Sequence, residues 1–144
     1  MVLPGDELVE EVSATGEVLR VITRSEMRSA RLRPRATFIA VHDGQGRVLV
    51  HQRSPLKDVW PSRWDIAAGG VAGVGEGWTH AAERELAEEL GISAMMTSLG
   101  TDRYEDDDVK LLAAIFSAEY SGEVQFTDGE VIDEVVTETV IVDA

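Results

Sequence analysis

Residues 69–92 read GGVAGVGEGWTHAAERELAEELGI, with glycine at five of the first nine positions and glutamate at 83, 85, 88 and 89. The pattern from Thr79 to Leu90 predicts a helix, with Gly91 as its C-terminal stop. At 100° per residue, Ala82, Leu86 and Leu90 form an apolar stripe that faces a core. Glu85, Glu88 and Glu89 stand at i, i+3 and i+4, so their carboxylates converge on an adjacent face. Like charges on neighbouring turns repel, and the cluster is costly unless a cation shares that face. Three carboxylates form a hard-oxygen ligand set that suits Mg²⁺, or Mn²⁺ in its place, far better than zinc. The glycines ahead of the helix let backbone approach the same face, where a carbonyl adds a further oxygen. A solvated acidic surface is the plainer reading of EEL taken alone; the spacing of the whole stretch argues against it.

Around this helix the chain is mostly strand. Residues 7–24 read as an N-terminal hairpin turning at Thr15-Gly16. SEMRSARLRP reads as a short helix or a turn, with Ser25 as N-cap and Pro34 at its end. ATFIAVHDGQGRVLVHQR is a second hairpin, two β-branched runs flanking DGQG. SPLKDVWPSR is a proline-marked loop, and WDIAAGGVA, VKLLAAIFSAEY and EVVTETVIV read as strands. One long helix among about six strands means an α+β fold with a mostly antiparallel or mixed sheet.

The 144 residues suffice for one domain with a real core, spanning 1–144. There is no cysteine, hence no disulfide framework, thiolate site or cysteine nucleophile, which agrees with a cytoplasmic setting. No apolar run reaches the roughly 18 residues of a membrane span, and the acidic N-terminus is unlike a signal peptide. A net charge of −14 argues against a nucleic-acid polymer as partner. A phosphorylated small molecule remains compatible where a metal or local cations reverse the field.

With its gaps, the stretch reads Gly70, five residues, Glu76, seven residues, then Arg84-Glu85-Leu86-Ala87-Glu88-Glu89-Leu90-Gly91-Ile92. This resembles the Nudix box, G-x5-E-x7-R-E-U-x-E-E-x-G-U, at every position. More weakly, TRSEMRSARLRPRATFIAV, VLVHQRSPLKDVWPSRWD and RYEDDDVKLLAAIFS look like the branch related to isopentenyl-diphosphate isomerase. The resemblance implies the Nudix fold, a mixed β-sheet sandwiched between helices, and hydrolysis of a diphosphate linked to another group. It implies that Glu85, Glu88 and Glu89 hold the divalent metal with the Gly70 carbonyl. It assigns Glu76 and Arg84 to bracing the loop against the helix.

Hydrolysis needs a metal to neutralise the diphosphate and activate water, and a carboxylate to take the proton. Glu85 and Glu88 are candidate bases within the box. Glu130 is another, because the family often carries an acid before the strand read here as VVTETV; Asp133 and Glu134 crowd the same segment. Arg53 and Lys57, in the loop after VLVHQ, and Arg35, at the start of a strand, are candidate phosphate ligands; each also reads as a surface cation. Trp60 and Trp64 read as core packing more readily than as stacking surfaces. His42, His51 and His80 lack a mutual metal-ligand spacing.

Two departures separate the chain from the isomerases. Ala68 stands about where their cysteine would be, Gly70 near a metal-binding histidine, and Pro34 where the branch usually has histidine. The chain also ends at Ala144, where the family normally adds another helix, so a homodimer covering the bared sheet is expected. A diphosphohydrolase is the leading expectation. An isomerase-like enzyme and a non-catalytic ligand-binding module are the alternatives.

Overall fold

The computed structural model describes residues 3–52, 64–65, 67–122 and 142–143. The N-terminal hairpin pairs β1 (Leu8–Val12) antiparallel with β2 (Val18–Thr23). It runs directly into α1 (Arg24–Ser29). The cap of α1 is Thr23 rather than the expected Ser25. Thr23 keeps the extended backbone of the strand end, and its hydroxyl accepts from the Glu26 N–H at 3.1 Å. Ser25 is already inside the helix, where a side chain no longer reaches the first free N–H groups. The helix also stops at Ser29, before Pro34. Val9, Ile22 and Met27 close a small core beneath hairpin and helix.

The main sheet is built around β3 (Arg35–His42). One edge of β3 pairs antiparallel with β7 (Ala67–Val71) and, at His42, with β4 (Arg47–Val48). The other edge runs parallel to β9 (Lys110–Glu119), which pairs antiparallel with β8 (Met96–Glu105). β10 (Val142–Asp143) joins β4. The DGQG turn forms because the Asp43 carboxylate accepts from the backbone N–H groups of Gln45 and Arg47. Its second arm is shorter than VLVHQR suggested. After β4 the chain leaves the main sheet, and β5 (His51–Gln52) pairs with β6 (Trp64–Asp65).

Alternation along β3 sends Thr37, Ile39 and Val41 to one face. There Ile39 and Val41 pack with Ala114, Phe116 and Ala118 of β9 and with Ala82, Leu86 and Leu90 of α2 (Trp78–Leu90). The helix begins one residue before Thr79 and ends at Gly91, whose φ of 66° lets its N–H close on the Ala87 carbonyl. The fold is α+β with a mixed sheet. β8 was not expected: MTSLGTDRYE lacks apolar alternation and is exposed from Thr97 to Glu105. Its long backbone ladder to β9 holds it, with a register shift between Ser98 and Gly100.

β3 and β7 approach closely because of one residue. Gly69 has φ of 150°, and a Cβ there would lie 1.9 Å from the Thr37 carbonyl oxygen. That neighbour is backbone in the middle of the sheet and cannot give way. Gly69→Ala should therefore destabilise the protein by about 2–4 kcal/mol, measured by urea unfolding. A loss below about 1 kcal/mol would show that the strands part without cost.

Candidate active site

The loop between β7 and α2 carries the acidic motif. Its turn is closed by the Glu76 N–H on the Gly73 carbonyl, at 3.1 Å, and by Glu76 Oε1 accepting from the Gly73 N–H at 2.9 Å. The same carboxylate then meets Arg84 two-fold: Arg84 Nε donates to Oε2 and Nη2 to Oε1, each at 2.8 Å. Such a fork-to-fork pair fixes both partners. The bond from Arg84 holds the Glu76 carboxyl down at about 2, from an ordinary 4.5, and Glu76 in turn raises the Arg84 guanidinium. His80 Nδ1 adds a 2.9 Å contact to Glu76 Oε2.

Arg84 is also the hub of the carboxylate face. Its Nη1 donates to Glu85 Oε1 at 3.0 Å and to Glu88 Oε2 at 3.2 Å, and Nη2 reaches the Val71 carbonyl at 3.4 Å. Glu85 and Glu89 are buried, 6% and 2% exposed, whereas the Glu88 side chain is 48% exposed. Helical geometry explains the split: Glu89 lies about 20° from Ala82 around the axis, Glu88 about 120° from it. That angle was available in the sequence, but the burial depends on what faces the helix. β7 faces it, with glycines. The Gly69 N–H donates to Glu89 Oε2 at 3.2 Å, and a Cβ at Gly70 would lie 2.9 Å from Glu85 Oε1.

Glu85 and Glu89 are thus turned inward toward β7, and Glu88 stands at the rim of the same helix. Among the described residues no three acidic or histidine side chains are grouped so as to hold a metal ion. Glu85 and Glu88 share one donor, Arg84 Nη1, which offsets their like charge, while Glu89 accepts from the Gly69 N–H.

Arg35, expected at the phosphates, is engaged by the scaffold. Its Nε and Nη2 donate to Glu10 Oε1 at 3.1 and 2.9 Å, Nη2 also to the Gly73 carbonyl at 3.0 Å, and its guanidinium lies 5.0 Å from the centre of the Trp78 ring. It ties the N-terminal hairpin to the glycine loop. Glu10 and Trp78, which complete this brace, carried no distinguishing sequence signal. His42 accepts from the Gly44 N–H at 3.1 Å and shapes the hairpin turn. Arg53, Lys57, Trp60, Glu130, Asp133 and Glu134, and the side chains of His51 and Trp64, lie outside the described residues.

A mixed sheet, a glycine loop clamped by a glutamate–arginine pair and a helix with carboxylates turned toward that loop define an acidic loop–helix site. Residues 32–141 match the NUDIX domain family. The chain is 39% identical over 130 residues to an uncharacterized Nudix hydrolase of Yersinia pestis, covering 90% of this chain and 71% of the relative. It is 38% identical over 130 residues to the uncharacterized Nudix hydrolase YfcD of Escherichia coli K12, covering 90% and 72%. In fold it is similar to DR0079 of Deinococcus radiodurans, with a TM-score of 0.74, 22% identity and coverage of 88% and 80%. It is also similar to the NUDIX domain of Shewanella oneidensis NrtR complexed with ADP ribose, with a TM-score of 0.57, 21% identity and coverage of 77% and 80%. The chain belongs to the Nudix family. It is a hydrolase acting on diphosphate bonds.

A Cβ at position 70 would meet the Glu85 carboxylate rather than backbone. That neighbour is the end of a flexible side chain, so Gly70→Ala displaces the Glu85 carboxylate instead of the backbone. Turnover should fall by about tenfold or more, with stability changed by less than about 1 kcal/mol. Kinetics beside a melting curve decide it, and unaltered turnover would count against Glu85 working at this spot.

Proposed function

We propose that the protein is a Mg²⁺-dependent hydrolase of the diphosphate linkage in a nucleoside diphosphate joined to another moiety, or a similar small phosphorylated metabolite. The observation that carries this reading is the seat of Glu85: its carboxylate lies against a backbone position, Gly70, that has no room for a side chain. Glu85, Glu88 and Glu89, with the Gly70 carbonyl, would supply an all-oxygen donor set, which fits a hard dication. Mn²⁺ suits the same donors. When bound, the cation neutralises the diphosphate and lowers the pKa of water beside it.

The chain's own residues do the rest. Arg84 holds Glu85 and Glu88 by one nitrogen while anchoring the glycine loop through Glu76. Glu85, Glu88 or Glu130 takes the proton of the attacking water. Arg53 and Lys57 bind phosphate oxygens, Arg in a paired fashion and Lys as a point charge. Among the described residues no helix is long and apolar enough to cross a membrane, and the cysteine-free composition supports a cytoplasmic enzyme. A homodimer remains part of the proposal, tested by sedimentation at micromolar concentration.

The deciding experiment offers ADP-ribose, nucleotide sugars, nucleoside triphosphates, dinucleoside polyphosphates and prenyl diphosphates with Mg²⁺ or Mn²⁺, and identifies the products. ADP-ribose leads the panel because the NrtR domain binds it. Cleavage of a diphosphate bond that chelator abolishes is the expected result; no cleavage anywhere in the panel would favour a binding module. Isopentenyl diphosphate should not isomerise. Ala68, at the place of the isomerase cysteine, is a buried core residue without acid–base chemistry. Proton NMR would reveal an allylic product, and its appearance would overturn the hydrolase assignment.

A further inference from the structure

Thr37 sits in the middle of β3 with 0% exposure, and its Oγ1 has no hydrogen-bond partner among the described residues. Unbonded buried hydroxyls are rare because they give up water and receive nothing in return. In the β3–β7 ladder Thr37 stands directly opposite Gly70, and opposed residues share a face. That is the face on which Ile39 and Val41 meet α2. It is also the face from which a Cβ at Gly70 would lie 2.9 and 3.3 Å from the two Glu85 carboxylate oxygens. Directly opposed Cβ positions are about 5 Å apart. The Thr37 hydroxyl makes no hydrogen bond to Glu85, and the position opposite it lies against the Glu85 carboxylate, an arrangement that one bridging water fits.

We propose that Thr37 is a positioning residue: through one ordered water, its hydroxyl holds the Glu85 carboxylate in the orientation that receives the divalent cation. The inference rests on the metal-dependent reading above. The hydroxyl donates to the water, and the water donates to the carboxylate. Arg84 Nη1 donates to Glu85 Oε1, a pull toward Glu76 and Glu88. A second hold from the sheet side sets the carboxylate plane. Outer partners of this kind are worth about 10–100-fold in metal affinity.

Thr37→Val removes the hydroxyl and keeps the shape; Thr37→Ser keeps the hydroxyl and loses a methyl. Mn²⁺ binding, followed by electron paramagnetic resonance, should weaken about tenfold or more in Thr37→Val and stay within about threefold of wild type in Thr37→Ser. The melting temperature of Thr37→Val should change little, because the shape is kept and one water-mediated hydrogen bond contributes modestly to stability. Equal Mn²⁺ affinity in Thr37→Val and wild type, or equal weakening in both variants, overturns the proposal. A high-resolution crystal structure of the metal-free wild type supplies a readout independent of the metal. A water bonded to both Thr37 Oγ1 and Glu85 supports the positioning role, and its absence overturns it. A wild type that fails to bind Mn²⁺ sinks the metal-dependent reading, while the crystallographic water still decides whether Thr37 holds Glu85.

Discussion

Glu88→Gln should lower turnover by about two orders of magnitude or more while leaving the melting temperature within a degree or two of wild type. Removing one carboxylate from a metal-binding set withdraws several kcal/mol of charge stabilisation in the transition state. Glu88 is the cleanest test because its side chain is 48% exposed and it bonds Arg84, which keeps Glu76 and Glu85 when Glu88 is replaced. Glu85 and Glu89 are buried, so their substitution mixes chemistry with packing. The Mg²⁺ concentration giving half-maximal rate should rise in Glu88→Gln, and excess chelator should silence the wild type. Wild-type turnover in Glu88→Gln, or activity that survives chelation, would refute the role given to this glutamate.

Arg84→Ala should cost about 2 kcal/mol of stability, lowering the melting temperature by about 5 °C or more. The loss is that of a carboxylate deprived of its partner: Glu76 is 10% exposed and would retain the Gly73 N–H and His80. Arg84 itself is 31% exposed, so solvent softens the penalty below that of a fully buried pair. The same pair predicts a pH dependence. The Glu76 carboxyl titrates at about 2 in the folded protein against an ordinary 4.5, so folding favours its ionised form. Its contribution is complete above pH 4.5. As the pH falls from there toward 2, the unfolded chain takes up the proton first and the contribution drains away. The wild type should lose about 2 kcal/mol across that window from this group, read by urea unfolding at successive pH values. In Arg84→Ala the slope should flatten. An identical slope in both proteins would assign the acid sensitivity elsewhere.

The angular position of Glu88 was legible in the chain itself, because a helix repeats every 3.6 residues and the R-E-U-x-E-E spacing sets it before any fold is known. The same local rules located α2 and its Gly91 stop, both arms of the N-terminal hairpin and the strand VKLLAAIFSAEY. Strand β8 escaped because its stability comes from backbone pairing with β9, which leaves no side-chain pattern. Thr23 displaced Ser25 as a cap because the strand runs into the helix without a loop.

Local spacing also leaves open which side of an acidic helix is buried. Glu85 and Glu89 go inward because β7 presents glycines to them, and those glycines lie there because β3 admits Gly69 against the Thr37 carbonyl. Arg35 serves the scaffold because the hairpin brings Glu10 to it across 25 residues of chain. The unpaired hydroxyl of Thr37 exists only as a relation between β3, β7 and α2. The sequence by itself determined the family and the angular order of the carboxylates, since both follow from residue type and short spacing. Burial, pairing and the supporting contacts were decided by the tertiary structure, since they depend on segments distant in the chain that only the closed sheet brings together.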